Sequence, residues 1–303
     1  MKKREGDALV VPNQGLGDLI EHNGMVRYIS KIYEGNIYHF VCGAMGAKHG
    51  TNPYLEMMKW MYRDNPRIKI VPLDTPKDKK TGRNISGGEK DKWLNTCIKA
   101  FLIWTDSDRT GFANFEKRLT DPSKGISGIV EPTKFTAISA THQGWSKRYR
   151  PLRLAKAFYH TAGIPYQVKF DDFYFERDYE EEDRVYKKLN PHGDKYVFVH
   201  DDIPRGFLID VNFRRKKSSH ERKGYKIIRN DASENIFHMT KVFENAEEIH
   251  CMSSSIATLV DCIAASPLLE TNINQINKFL HWPVRKVVLN AGYLGADNWK
   301  VLK

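Results

Sequence analysis

The chain has 303 residues, more than one hydrophobic core usually organises, so two domains are expected. Its 41% hydrophobic and 12% aromatic content is that of a globular protein. No stretch approaches the ~20 apolar residues of a membrane span, and the basic N-terminus carries neither a signal-peptide core nor a cleavage site, so a cytoplasmic location is expected. A formal charge of +11 points to an anionic partner: nucleotide, nucleic acid or membrane surface.

In chain order, DALVV (residues 7–11) reads as a strand. GLGDLIEHNGMVRYISKIY (15–33) reads as one helix with Leu19, Ile20, Val26, Ile29 and Ile32 near helical spacing, and NIYHFVCG (36–43) as a second strand. A helix from Tyr54 to Asp64 and a strand IKIVPL (68–73) continue the alternation, which favours a parallel sheet covered by helices. Residues 74–92 read as a polar loop, KFTAISA (134–140) as a strand, and residues 150–166 as a helix ended by Gly163 and Pro165. The acidic, aromatic stretch DDFYFERDYEEEDRVYKK (171–188) breaks the pattern and marks the domain boundary. A second alternation follows: strands KYVFVHDD (195–202), GFLIDV (206–211) and YKIIR (225–229), a helix over 235–246, the strand EIHCM (248–252), a helix over 253–266 and the strand RKVVLNA (285–291).

Cys42, Cys97, Cys251 and Cys262 lack metal-ligand spacing and are expected as buried thiols rather than disulfides. Gly15 and Gly17 flank Leu16 where a strand turns into a helix, so backbone N–H groups and the positive helix end would face a ligand there. The full G-x-G-x-x-G pattern is absent because position 20 is Ile20, which argues against a dinucleotide. Asp18, in the first helical turn, either stabilises the helix N-terminus or acts as a general base. The helix end lowers a carboxylate's pKa and weakens it as a base, unless burial or neighbouring carboxylates offset the effect. His22, on roughly the same face with Glu21, is the fallback base or the partner that orients Asp18.

In VHDDIPRGF (199–207), Arg205 either grips a diphosphate through its fork of donors or is a solvated arginine on a turn. Ser253, Ser254 and Ser255 stand between a strand and a helix; one is the N-cap, and the three together can bind phosphate oxygens. WTDSDR (104–109) offers Asp106 and Asp108 as a rival divalent-cation site. His142 and Trp145 are either part of an acceptor pocket or simple packing, and RRKKSSHERK (214–223) is a solvated loop or an anion funnel.

Two α/β halves, a Gly-x-Gly-Asp turn after the first strand, an arginine after the first strand of the second half and a serine cluster at a late helix start look like GT-B glycosyltransferases. QGLGDLIEHNG resembles the Gly-Asp loop of the heptosyltransferase-like family. EEIHCMSSSIATLVDCI is similar to the strand-serine-helix segment of that family and of fucosyltransferase-like enzymes, with Met252-Ser253-Ser254-Ser255 replacing the family's aspartate-threonine/serine-glycine. The resemblance implies two Rossmann-like domains facing a cleft: residues 1–175 binding a glycan acceptor and 176–303 binding a nucleotide-diphosphate sugar. It makes Asp18 the base of an inverting, metal-independent transfer with no cofactor, places the diphosphate near Ser253 to Ser255 and Arg205, and tilts the donor toward guanosine diphosphate. The alternatives are a metal-dependent transferase using Asp106 and Asp108, and a basic nucleic-acid-binding protein, which no recognised binding motif supports.

Overall fold

The computed structural model describes residues 3–12, 15–42, 53–73, 135–140, 154–203, 206, 208–209, 224–252, 254–281 and 299–302. Among them, β1 (Asp7–Pro12), β2 (Ile37–Cys42), β3 (Ile68–Leu73) and β4 (Phe135–Ala140) form a first sheet in the order β3-β2-β1-β4, parallel throughout. A second parallel sheet comprises β5 (Tyr196–His200), β6 (Lys226–Arg229), β7 (Glu248–Met252), β8 (Asn277–His281) and β9 (Trp299–Leu302) in the order β6-β5-β7-β8-β9. Every residue of β5 and of β7 is buried, as expected for parallel strands covered on both faces. The class is therefore α/β with two Rossmann-like sheets.

The predicted strands at 7–11, 36–43, 68–73, 134–140, 195–202, 225–229 and 248–252 all form, within a residue or two at their ends. The described part of GFLIDV, at Gly206, Leu208 and Ile209, carries no strand, and RKVVLNA lies outside the described residues. β8 and β9 were not expected. NKFLH hides as a strand because Lys278 interrupts its apolar run, yet Lys278 is fully buried, its ammonium donating to the Ile273 and Ile276 carbonyls at 2.9 and 3.2 Å.

The predicted first helix divides at His22 into α1 (Leu16–Glu21) and α2 (Asn23–Ile32). The cause is long-range. The Asn23 side chain donates to the Tyr174 carbonyl at 3.0 Å and accepts from the Tyr174 N–H at 2.9 Å, tying the chain to the segment after a short helix α5 (Val168–Asp171). Between β2 and β3 lies α3 (Pro53–Met61), and α4 (Leu154–Ala162) packs on β4. The stretch expected to break the pattern contains a helix, α6 (Tyr179–Leu189). Asp178 caps it by accepting from the Glu181 N–H at 3.1 Å, and acids crowd its first turn while Lys187 and Lys188 sit in its last, the arrangement that complements a helix dipole.

In the second half, a 3₁₀ turn (Ile236–Met239) leads into α7 (Thr240–Glu244), and α8 (Ser255–Ala265) follows β7. One contiguous apolar core joins the halves, holding Leu19, Ile20 and Val26 together with Ile256, Leu259 and Val260. Through it α1 packs directly on α8. Cys251 and Cys262 are free and buried, as expected for apolar thiols, and burial pushes both thiols up. The Cys42 side chain and Cys97 lie outside the described residues.

Candidate active site

In an open parallel sheet a ligand crevice forms beyond the C-terminal strand ends, where successive connections leave in opposite directions. In the first sheet that point lies between β1 and β4, because the chain runs from β1 to β2 and β3 on one side before returning with β4 on the other. The Gly15 to Asp18 turn follows β1 there. In the second sheet the point lies between β5 and β7, and the Ser254 start of α8 follows β7 there.

The structure brings these two turns together. A Cβ built on Gly17 would sit 3.5 Å from the Ser255 Cα and 3.6 Å from the Thr258 hydroxyl, so α1 passes within one methyl group's reach of the first turn of α8. Asp18 is partly exposed, and its Oδ2 accepts from the Gly15 N–H at 3.2 Å. This is half of a capping box, since glycine has no side chain to return the bond. Asp18 therefore does stabilise its helix start, with one carboxylate oxygen committed to that bond.

Ser254 is the N-cap of α8 in extended conformation, but its hydroxyl makes no capping bond. Instead its Oγ lies 3.2 Å from His200 Nδ1 at the end of β5; which atom donates depends on the imidazole tautomer. This contact spans the switch point of the second sheet, and the first-turn N–H groups of α8, beyond the reach of any helical carbonyl, open at the same edge. Sequence reasoning missed His200, although it stands in the quoted VHDDIPRGF. Next to it, Asp201 accepts from the Ile209 N–H at 2.7 Å and pairs with Arg229, pinning the loop after β5.

His22 is fully buried, with its ring 4.8 Å from Phe158 and 6.5 Å from His39, so its imidazole packs in the core. Glu21 is also buried, and it meets Lys169 Nζ at 2.7 Å, while the same ammonium donates to Asp261 Oδ2 at 3.1 Å. None of the three side chains is more than 1% exposed. Burial pushes Glu21 up to about 7 against the opposing pull of Lys169, and the two carboxylates hold Lys169 well above its ordinary value despite burial. Arg205, Ser253, His142, Trp145, Asp106, Asp108 and the basic run 214–223 lie outside the described residues. Among the described residues no group of three or more His, Cys, Asp or Glu could hold a metal ion, and no helix is long and apolar enough to cross a membrane.

Two buried groups give opposite pH dependences. Native Glu21 keeps its proton from pH 4.5 up to about 7 while the unfolded chain loses it, so this group's contribution to stability falls as pH rises through that window. Burial lowers His39 to about 4, so the native protein lacks a proton that the unfolded chain takes up below pH 6.5, and its contribution rises with pH from about 4 to 6.5. Each is worth roughly 3 kcal/mol, and they oppose over most of their range. Urea titrations across pH 4 to 8 should show Glu21→Gln gaining stability relative to wild type as pH rises, and His39→Leu gaining as pH falls. Parallel curves for either variant and wild type would contradict the corresponding assignment.

Two parallel sheets, each with its switch point and coupled through α1 and α8, make a fold of the GT-B type. All of the chain aligns with 87% of a glycosyl transferase family 9 structure from Veillonella parvula, at TM-score 0.54 and 11% identity. Two others align more loosely: the iron-containing dodecameric glycosyltransferase TibC from enterotoxigenic E. coli (93% of this chain, 59% of that one, TM-score 0.47, 8% identity) and E. coli ADP-heptose lps heptosyltransferase II (100% and 90%, TM-score 0.42, 8% identity). No family model and no curated protein matches the chain. At such identities the likeness speaks for the fold alone.

Proposed function

We propose that the protein transfers a sugar from a nucleotide-diphosphate donor, guanosine its base, to a hydroxyl of a glycan acceptor, with inversion and without a metal ion. Residues 1–175 bind the acceptor and 176–303 the donor. The observation that carries this reading is the packing of α1 on α8, with Gly17 within a methyl group's reach of Ser255, which sets the Asp18 turn of one sheet against the serine-headed helix of the other. A base and an anion-binding helix start then serve one substrate pair. Asp18 takes the proton from the acceptor hydroxyl as its oxygen bonds to the anomeric carbon, and the bond from that carbon to the diphosphate oxygen breaks on the opposite face. The first-turn N–H groups of α8 and the Ser254 hydroxyl receive the negative charge that develops on the leaving diphosphate. Arg205 adds its charge there, while His142 and Trp145 line the acceptor side.

The test is turnover of a panel of nucleoside-diphosphate sugars with excess chelator present. Transfer or slow donor hydrolysis that chelator leaves unchanged is expected. Activity lost to chelator and restored by manganese would instead select a metal site such as Asp106 and Asp108. Absence of turnover, with steeply salt-dependent retention on nucleic acid, would replace enzyme by binding protein. His200→Ala is expected to weaken guanosine diphosphate binding roughly tenfold by removing the partner that orients the Ser254 hydroxyl; unchanged affinity by calorimetry would remove His200 from the donor site.

A further inference from the structure

A lysine buried with two carboxylates is an expensive way to join helices. Apolar side chains of similar volume often stabilise as well or better. What the charges add is direction: apolar surfaces can slide past one another, whereas an ammonium between two carboxylates fixes their separation. The elements that meet here belong to both halves of the transfer site. Glu21 ends α1, one helical turn after Asp18. Asp261 lies in α8, two turns after Ser254. Lys169 projects from α5, whose backbone is itself seated on α2: a Cβ at Gly24 would fall inside contact distance of the Val168 carbonyl and 2.7 Å from that of Lys169. The Tyr159 hydroxyl donates to the Glu21 carbonyl at 2.8 Å and accepts from the Met25 N–H at 3.2 Å, holding the end of α1 from the other side.

We infer that Lys169 is a positioning residue of the transfer site: by bridging Glu21 and Asp261 it fixes α1 against α8, and so sets the distance from Asp18 to the serine-headed start of α8. This deepens the transfer reading and rests on it. With rises of about 1.5 Å per residue, the strut runs only about 5 Å along α1 and about 10 Å along α8. A shift at the ammonium therefore reaches Asp18 nearly undiminished, and about 1 Å of misplacement can cost a hundredfold in rate.

At pH 8, where Glu21 is ionised, the experiment compares wild type, Glu21→Gln and the neutral triple variant Glu21→Gln/Lys169→Met/Asp261→Asn, using whichever donor and acceptor of the panel wild type turns over. The triple variant is expected to keep a melting temperature near that of wild type and a donor KM within about threefold, with kcat at least tenfold lower. Glu21→Gln keeps one ion pair and is nearly isosteric, so it holds the fold; its kcat is expected to drop three- to fivefold. Wild-type kcat in Glu21→Gln, or in a folded triple variant, would overturn the assignment. A kcat loss matched by an equal rise in KM would overturn it too, since that marks lost binding rather than lost alignment. A second readout needs no substrate. Nitroxide labels on Glu34→Cys and Lys195→Cys, in a Cys42→Ser/Cys97→Ser background, should give one narrow distance distribution in the wild-type triad and a broadened one in the triple variant. If no donor turns over, the transfer reading fails by itself, and an unbroadened distribution would then reject the strut independently.

Discussion

Asp18→Ala is expected to lower kcat by 10²- to 10⁴-fold while leaving nucleoside-diphosphate affinity within about twofold of wild type. The separation follows from the geometry. Asp18 belongs to the turn after β1, whereas the phosphate-binding groups belong to α8 after β7. Removing the carboxylate also removes the bond from the Gly15 N–H at 3.2 Å, but that bond is partly exposed and worth about 1 kcal/mol, too little to unfold a helix packed on α8. Asp18→Asn sharpens the test, because the amide oxygen can still accept from Gly15 yet cannot take a proton. Equal losses in both variants would assign the effect to proton transfer. Full activity in Asp18→Asn would reduce Asp18 to a helix cap and leave the transfer without its base.

Gly24→Ala is expected to damage stability strongly. Helix propensity alone predicts the opposite, since glycine to alanine inside a helix gains about 1 kcal/mol. Against that stands the steric term. The added methyl would overlap the Val168 carbonyl oxygen and lie 2.7 Å from that of Lys169, and both are backbone atoms that no rotamer change can move. Overpacking of this kind costs about 1–3 kcal/mol or more, and here the displaced segment carries Lys169, so the buried ion network is strained as well. A net loss of roughly 3 kcal/mol is expected, a fall of about 5 °C in melting temperature by differential scanning calorimetry. A stabilised variant would show that α2 and α5 are further apart than described.

Much of the fold could be read from local pattern because parallel strands covered on both faces write themselves as apolar runs, as DALVV and YVFVH do. β8 escaped because a lysine at its centre, Lys278, satisfies its charge on two carbonyls that adjacent letters do not reveal. The division at His22 escaped for a similar reason: Asn23 is bound to Tyr174, 151 residues away. α6 carries its signal plainly in retrospect, an Asp cap, acids first and lysines last, but its charge density reads as a linker when composition alone is weighed.

At the site, the glycine turn and the serine-headed helix were both legible as anion-binding turns. Their mutual contact was not, since nothing in spacing relates Gly17 to Ser255. His22 was placed beside Asp18 on helical periodicity, and the end of α1 instead sends it into the core against Phe158. Nothing in the sequence relates Glu21, Lys169 and Asp261 to one another, and only the packing of α1, α5 and α8 shows that they meet in the core.

One diphosphate site, at the start of α8, is proposed to face Asp18 across the joint between the two sheets. A crystal structure of the protein with guanosine diphosphate should show both phosphates at the first-turn N–H groups of α8, with Ser254 Oγ in hydrogen-bond distance and the Asp18 carboxylate on the side where a sugar would extend. Phosphates bound anywhere else, or bound there with Asp18 shielded from the sugar side, would contradict it.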